Sequence, residues 1–532
     1  MDDVKNQALT IRGLVIGLVG SVVITASSMY VALRMGALPW PTIFVAVVSL
    51  TALRWAKNST LQEINVTHTA MSAGAMVAGG LAFTIPGIWI LDSDASVGIW
   101  PILSVTLFGT LLGVLFTHLH RKHYIETKPL PYPMGTAAFN TLTVGDAGGK
   151  QAVKLFGSMG ISAVFTALRD RFMIIPPVFM TRMPGANTPP FGMWLSPMAV
   201  GIGYIVGPLY TGVWFLGAVV GFYLIIPFGI ALGFFPDGGA ADLFRQNLGI
   251  GLMVGTGAGI FIMGLYRYVR KSWENRSRSS FVPRLRAPFW IASAIVIILA
   301  ITTSLTLLHA ILLILGIWIT TSMAALLTGE TGINPMEIFG IIVLLGIQII
   351  QRPDVITSFM IAGMVAVACG LTGDVMNDLK AGHMLGTPSK SQIIAETAGG
   401  VLGAVVAVAV LFIMKEAFGT FGTQELPAPQ AAAVSAMVGG LADPLAFFIG
   451  LALGIFLYLV KVPATTLGLG VYLPIVISSI VFLGGLFRFI SDIVVPGVKK
   501  EAFQRDGGIV ASGFLGGEGI TGVILAIVSI FS

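Results

Sequence analysis

Long apolar segments recur along the whole chain and constrain its fold more than any other feature. A membrane-spanning helix needs about 20 predominantly apolar residues, and the chain holds about sixteen such segments. Of its 532 residues, 55% are hydrophobic and 10% are charged, whereas a soluble domain carries about 25% charged residues. The sequence therefore predicts an all-α polytopic membrane protein with about 16 transmembrane helices. The segments lie at residues 10–33, 38–57, 64–91, 97–119, 150–169, 194–209, 211–235, 246–269, 287–307, 310–328, 335–351, 355–372, 391–415, 444–460, 467–490 and 508–531.

A basic run near the middle of the chain, within Arg267–Arg286, divides it into two parts. Positively charged loops face the cytoplasm, so we expect this linker and both termini on the cytoplasmic side of the cell (plasma) membrane. Arg169 would fall on the outside, against the same rule. The predicted divisions are an N-terminal membrane half-repeat at 1–270, a basic cytoplasmic linker at 271–286 and a C-terminal membrane half-repeat at 287–532.

Short motifs recur in the same order in both parts of the chain. Ser28–Leu33 shares its spacing with Ser322–Leu327, and Leu-Pro-Tyr-Pro at Leu130–Pro133 returns as Leu-Pro-Ala-Pro at Leu426–Pro429. Five matches of this kind predict two related halves, with parallel or inverted orientation left open. Repeated halves around a midplane site are typical of secondary transporters.

The motifs of several other protein classes are missing from the sequence. It contains no GxxxxGK[ST], HExxH or GxSxG pattern, and its single cysteine, Cys369, can form neither an internal disulfide nor a cysteine pair for a metal. The net charge of +6 is typical of basic loops facing an anionic leaflet, not of nucleic-acid binding. We therefore expect a carrier, with no cofactor, metal site or catalytic residues. A channel is the alternative within membrane transport.

The most polar stretch within an apolar region is 370–383, GLTGDVMNDLKAGH. On a helix, Asp374 and Asp378 are four residues apart and share one face. Two interpretations stay open at this point. The stretch could be a charged helix end at the membrane surface, with Lys380 pairing one aspartate, or it could be a gate or coupling cluster.

The run Asp374-Val-Met-Asn-Asp378-Leu-Lys380-Ala-Gly382 resembles the D-L-M-Q-D-F-K-x-G signature of the oligopeptide transporter (OPT) family, which includes the yellow stripe-like branch. The resemblance implies a sixteen-helix carrier that moves oligopeptides together with protons, or alternatively peptide-like metal chelates. The expected partners are that substrate, protons and the lipid bilayer, and a homodimer is left open. Further similar blocks lie at Asn65–Leu81, Leu130–Ala138, Ser196–Pro208, Gly329–Pro335 and Gly470–Pro474.

Four places broken by Pro or Gly are the predicted substrate contacts. Irregular backbone at membrane depth needs protein or a water-filled cavity around it, and helix ends there can bind the charged ends of a peptide. Each side chain could instead be an ordinary interface residue. The breaks are Leu130–Thr136, Thr331–Pro335, Leu426–Pro429 and Gly468–Pro474, and the candidate substrate-binding residues are Tyr132, Asn334 and Tyr472 with Asn65 and His68 of the third segment.

Buried carboxylates are the candidates for proton coupling. Glu518 is the first choice because it lies about ten residues into the last segment, between glycines, where a charge is costly. A buried ion pair or a helix-packing hydrogen bond is the alternative for it. Glu396 is the second choice, and Asp374, Asp378 and Lys380 are candidates for gating.

Overall fold

The computed structural model describes most of the chain. Part of the basic linker, residues 276–286, lies outside the described residues, as does most of the predicted segment 287–307. The described residues are 8–36, 38, 42–56, 59–127, 129–144, 148–183, 188–275, 294–295, 297–299, 301, 303, 305–332, 334–439, 441–495 and 497–531.

The described residues are predominantly helical. The elements, in chain order, are α1 (Ile11–Met35), α2 (Thr42–Trp55), α3 (Leu61–Ala82), α4 (Gly87–Leu91), α5 (Ile99–Arg121), a π-helical segment (Lys122–Thr127), α6 (Pro133–Val144), α7 (Gly148–Asp170), β1 (Val178–Thr181), β2 (Phe191–Trp194), α8 (Pro197–Val206), α9 (Pro208–Val219), a second π-helical segment (Val220–Ile225), α10 (Ile226–Ala231), α11 (Gly238–Asn275), α12 (Leu307–Thr331), α13 (Met336–Ile350), α14 (Val355–Leu385), α15 (Ser389–Phe418), α16 (Pro429–Gly439), α17 (Pro444–Leu459), α18 (Ala464–Tyr472), α19 (Ile475–Val494) and α20 (Gly497–Phe531).

Eleven helices of the described residues are long and apolar enough to cross a membrane. They are α1, α3 continued by α4, α5 continued by the first π segment, α7, α9 continued to α10, α11, α12, α14, α15, α19 and α20. Four shorter apolar helices, α2, α8, α13 and α17, accompany them. The protein is therefore a helical, multi-pass membrane protein, and the count of about 16 stays a prediction.

The chain forms two compact units, each drawn from both ends of the sequence. This division describes compactness, whereas the predicted division at 271–286 describes a sequence repeat and stays a prediction. The first unit comprises Met1–Met29, Trp40–Gly149 and Phe261–Phe412, and the second comprises Tyr30–Pro39, Lys150–Ile260 and Ile413–Ser532.

Helix α14 is the centre of the first unit, where it packs against α3, α5, α12 and α13. Glycines of its neighbours allow this close approach. A Cβ built on Gly80 of α3 would lie 2.6 Å from the Val367 Cα, and one on Gly113 of α5 would lie 2.8 Å from the Ala368 carbonyl oxygen. Because protein rather than lipid surrounds α14, its polar end stays helical. The helix therefore continues to Leu385, well past residue 372 where the apolar segment ends.

Both ends of α14 are capped. The Asp354 side chain accepts a hydrogen bond from the Thr357 backbone N–H at 2.9 Å, the usual N-cap arrangement. Burial raises the pKa of the Asp354 carboxyl, but hydrogen bonds from the Thr357 hydroxyl and N–H outweigh burial and lower that pKa. At the other end, Gly386 is left-handed with φ 71°, a conformation that glycine adopts without strain.

In the second unit, α8 packs against α19 and α20, and α9 packs against α18 and α19. The unit also holds an antiparallel hairpin of β1 and β2, with Val178 opposite Trp194 and Thr181 opposite Phe191. This hairpin is an exception to the all-α expectation. The Ser479 hydroxyl of α19 donates a hydrogen bond to the Gly192 carbonyl at 2.5 Å, which ties the hairpin to the helices.

A helix boundary falls within each of the four predicted breaks. The fourth is shorter than predicted, because Gly468–Tyr472 belongs to α18 and only Leu473 and Pro474 lie between α18 and α19. Two of the breaks, the L-P-x-P motifs, share one local geometry. Tyr132 has φ 43° and Ala428 has φ 39°, and both backbone N–H groups donate to a carbonyl in the last turns of a 25-residue helix. Tyr132 donates to Gly329 of α12 at 3.0 Å, and Ala428 donates to Leu33 of α1 at 2.9 Å.

Candidate functional site

Three carboxylates meet inside the first unit. Asp374 and Asp378 lie one turn apart on α14, and Glu396 lies in the second turn of α15. Each offers an oxygen atom, and these atoms all lie within 4.8 Å of one another. The three residues are at most 2% exposed. We call Asp374, Asp378 and Glu396 the carboxylate cluster.

One face of α3 covers the carboxylate cluster. The Ser72 hydroxyl donates a hydrogen bond to Asp378 Oδ2 at 2.9 Å, and His68 Nδ1 lies 3.5 Å from Asp378 Oδ1. These two residues are four apart on α3 and so project from the same face. Gln392 of α15 closes another side by donating its amide to the Asp378 carbonyl at 2.7 Å.

Several polar atoms at the cluster have no hydrogen-bond partner among the described residues. They are both oxygens of Glu396, Asp374 Oδ2 and both ring nitrogens of His68. Buried polar groups are normally paired. The unpartnered atoms of this buried site are therefore available to bind a further atom or ion. Unpaired carboxylate oxygens accept protons, cations and hydrogen bonds from N–H or O–H donors.

Neither lysine nor arginine neutralises the carboxylate cluster in the described structure. Lys380 donates its ammonium group to the Leu130 carbonyl at 3.0 Å and forms no ion pair with Asp374 or Asp378. Asn377 accepts a hydrogen bond from the Gly135 N–H at 3.0 Å. Within the run 374–382, Lys380 and Asn377 therefore hold the segment Leu130–Thr136 by hydrogen bonds, while Asp374 and Asp378 form part of the carboxylate cluster.

The predicted substrate-binding residues of the first unit differ in how many of their polar atoms lack a hydrogen-bond partner. Both hydrogen-bond donors of Tyr132 are used. Its backbone N–H donates to the Gly329 carbonyl, and its hydroxyl donates to the Ala325 carbonyl at 2.9 Å. Asn334 donates to the Cys369 carbonyl at 2.8 Å and keeps an unpartnered amide oxygen. Asn65 donates to the Thr387 hydroxyl at 3.3 Å and likewise keeps its amide oxygen. Asn65, His68 and Asn334 thus retain atoms for a ligand, and Tyr132 braces the backbone.

The remaining predicted residues, Glu518 and Tyr472, lie in the second unit. Glu518 Oε1 lies 2.9 Å from Arg169 Nη2, and both side chains are fully buried. Its Oε2 accepts hydrogen bonds from the Ser196 hydroxyl and the Met198 N–H, both at 2.8 Å, at the start of α8. The Tyr472 hydroxyl donates to the Pro427 carbonyl at 3.4 Å. Glu518 therefore has an ion-pair partner at Oε1 and two hydrogen-bond donors at Oε2, whereas neither oxygen of Glu396 has an ion-pair or hydrogen-bond partner among the described residues.

Sequence reasoning missed Ser72, Gln392 and Arg169. Ser72 stands one helical turn after His68, a spacing that could have indicated a shared face. Arg169 was assigned to an outer loop, yet it is 1% exposed and bonds to both Asp170 and Glu518. The sequence did contain a signal for this. Arg169 violated the positive-inside rule, and an arginine that is buried in an ion pair does not count as a loop charge.

The fold and this site define a polytopic membrane protein whose first unit buries an acidic cluster that no lysine or arginine of the described residues neutralises. The family model for OPT oligopeptide transporter proteins matches residues 8–269 and 284–529, and the chain belongs to this family. It is 24% identical to the putative oligopeptide transporter of Haemophilus influenzae, over 94% of this chain and 92% of that protein. It is also 24% identical to the metal-nicotianamine transporter YSL3 of Arabidopsis thaliana, over 80% of this chain and 75% of that protein.

Proposed function

We propose that the protein is a proton-coupled secondary active transporter, a symporter of oligopeptides across the cell membrane. Family membership supports the class, and the relative from Haemophilus influenzae named putative oligopeptide transporter supports the substrate. Its about 16 helices form two related halves, with both termini and the basic linker on the cytoplasmic side. The alternative is a proton-coupled importer of peptide-like metal chelates, which the similarity to the metal-nicotianamine transporter favours.

The carboxylate cluster is the main structural support for the proposed proton coupling. Three like charges within 4.8 Å of one another repel strongly in a medium of low polarity, and removing them from water is costly unless they are paired. Proton binding relieves this cost, and proton release restores it. A conformation that exposes the cluster to water therefore differs in proton affinity from one that buries it, which is the coupling a symporter needs.

We assign coupling to Glu396, Asp374 and Asp378 rather than to Glu518, because Arg169 balances the charge of Glu518. Substrate binding is assigned to Asn65, His68 and Asn334 of the first unit, each of which keeps a polar atom without a hydrogen-bond partner among the described residues. Tyr472, in the second unit, stays a separate candidate. The Asn334 amide reaches α14 at Cys369, about one turn before Asp374. A peptide bound through Asn334 would thus act on the same helix that holds the protonated aspartates.

The deciding experiment compares exchange with accumulation in proteoliposomes. Glu396→Gln should retain counterflow exchange of labelled peptide, because exchange returns the carrier in its loaded form. It should lose accumulation driven by an inward proton gradient. Glu416→Gln, on the exposed face near the end of the same helix, is the matched control and should behave as wild type. Gradient-driven accumulation by Glu396→Gln at the wild-type level would remove the cluster from the coupling step.

The same vesicles distinguish the two substrates and the coupling ion. Uptake of alanine di- to hexapeptides supports the peptide assignment, and uptake of nickel–nicotianamine without peptide uptake supports the chelate alternative. Accumulation that follows a sodium gradient at constant pH would replace protons by another cation at the cluster. Dissipation of solute without saturation would indicate a channel.

The orientation is tested with a cysteine introduced at Ser277, which lies outside the described residues. Native Cys369 is buried, so it should contribute little labelling. A membrane-impermeant thiol reagent should label Ser277→Cys only after cells are opened. Labelling in intact cells would reverse the proposed orientation.

A further inference from the structure

A cavity of about 580 Å³ lies within the second unit. Pockets for small organic ligands typically measure about 300–1,000 Å³. Its wall is formed by the ends of α1, α7 and α15, the hairpin, and α19 and α20. The residues that matter for its chemistry are Arg34, Arg169, Asp170, Trp194, Phe418 and Glu425.

Arg34 is held in this wall by aromatic rings and not by an acid. Its guanidinium carbon lies 4.9 Å from the centre of the Trp194 ring, 5.3 Å from Tyr30 and 6.0 Å from Phe418. Its buried Nε atom has no hydrogen-bond partner, and no ion pair joins Arg34 to a carboxylate of the described chain. Stacking fixes the plane of a guanidinium while leaving its N–H edge available.

The neighbouring arginine provides the contrast. Arg169 also lies over Trp194, at 5.1 Å, but it forms two hydrogen bonds of 2.6 Å with Asp170 and contacts Glu518. Both oxygens of Asp170 are used in this way. Of the two arginines that line the cavity, only Arg34 is without a carboxylate partner. The remaining charge, Glu425, is on an exposed side chain.

We propose that this cavity binds a carboxylate, and that Arg34 is the residue that recognises it. This inference rests on the proposed function for the class of ligand, and the site it assigns lies wholly within the second unit. A guanidinium offers two parallel N–H groups that match the two oxygens of a carboxylate. The carboxylate is the free C-terminus of a peptide or an acid group of a peptide-like chelator, and the cavity has room for the residues attached to it.

Binding to the purified protein tests the proposal by calorimetry. The probes are alanine peptides of two to six residues, each paired with its C-terminal amide, and nickel–nicotianamine for the chelator. Wild type should bind the free acids at least about tenfold more tightly than the amides, the scale of a lost charge-assisted hydrogen bond. Arg34→Gln should lose that preference by weakening acid binding and leaving amide binding unchanged. If nickel–nicotianamine is the ligand, Arg34→Gln should weaken its binding by a similar factor.

Arg34→Lys keeps the positive charge without the two parallel N–H groups and should recover part of the preference for free acids. It also keeps the test possible if Arg34→Gln folds poorly. Arg505→Gln, at an exposed position of the same unit, is the control and should match wild type. Equal binding of acids and amides by wild type, or an unchanged preference in Arg34→Gln and Arg34→Lys, overturns the proposal. If wild type still accumulates peptide in vesicles, only the Arg34 site falls. If it neither binds nor accumulates any of the ligands, the proposed function falls too.

Discussion

The two units place buried carboxylates in opposite electrostatic settings. In the first unit, Asp374, Asp378 and Glu396 share a buried space, and the histidine His68 is the one basic side chain near them among the described residues. In the second unit, Glu518 is equally buried but contacts Arg169 and accepts two hydrogen bonds. Burial alone therefore does not identify a coupling residue. What separates the two sites is whether the protein itself supplies the compensating charge.

The L-P-x-P breaks of the two units, in contrast, have the same backbone geometry. In each, the residue between the prolines has a positive φ, and its N–H donates to the last turns of α12 or α1. The proline that ends each motif also lies against the glycine that follows the helix, Pro133 against Gly332 and Pro429 against Gly36. This shared geometry is what the predicted repeat would produce if its two copies kept one backbone conformation while their charged residues diverged.

Removing Arg169 should have the largest effect on stability. Arg169→Gln leaves the buried Glu518 and its neighbour Asp170 without their cation, and breaking a buried ion pair in this way costs about 3–5 kcal/mol. Thermal unfolding in detergent should show a strongly lowered Tm and a poor yield of folded protein. Arg171→Gln, two residues further along and exposed, is the control. An Arg169→Gln protein as stable as this control would mean that the pair contributes little.

The opposite sign is expected at the carboxylate cluster. Glu396→Gln removes one of three mutually repelling charges, so it should stabilise the folded protein by about 1–3 kcal/mol. The gain should grow as the pH is raised, because more of the wild-type carboxylates are then ionised at once. Tm measured for both proteins between about pH 5 and pH 9 checks this. A variant that is less stable than wild type at every pH would indicate that the Glu396 carboxylate has a stabilising partner that glutamine cannot replace.

The sequence predicted apolar helices and buried acids, and both are present among the described residues, but it predicted only in part which of these acids meet. Asp374 and Asp378 share a face by their spacing alone, so their proximity was foreseeable. Glu396 joins them only because α15 packs beside α14, and no local pattern encodes that packing. The Arg169–Glu518 pair joins α7 to α20 in the same manner. The end of α14 was missed for a related reason: hydropathy falls at residue 373, while burial by neighbouring helices keeps the segment helical.

A smaller effect is expected at the L-P-Y-P break of the first unit. Tyr132→Phe removes the hydrogen bond from the tyrosine hydroxyl to the Ala325 carbonyl, which should cost about 1 kcal/mol. Ala428, at the matching position of the predicted repeat, has no hydroxyl, so the L-P-A-P break has no equivalent bond. Tm is the measurement, and peptide KM should stay near the wild-type value because the side chain braces the backbone. A raised KM with an unchanged Tm would return Tyr132 to the substrate-binding residues.

The smallest effect is expected at Ala428, whose φ of 39° is one that residues other than glycine rarely adopt. Left-handed backbone costs a residue with a Cβ about 1–2 kcal/mol, while glycine adds about 0.5–1 kcal/mol of chain entropy lost on folding. Ala428→Gly should therefore stabilise the protein by at most about 1 kcal/mol. Ala433→Gly, five residues on and inside α16, should instead destabilise it by about 1 kcal/mol, since the backbone there is already relaxed. Opposite signs from the same substitution would show that the L-P-x-P break stores backbone strain, and matching losses at both positions would show that it does not.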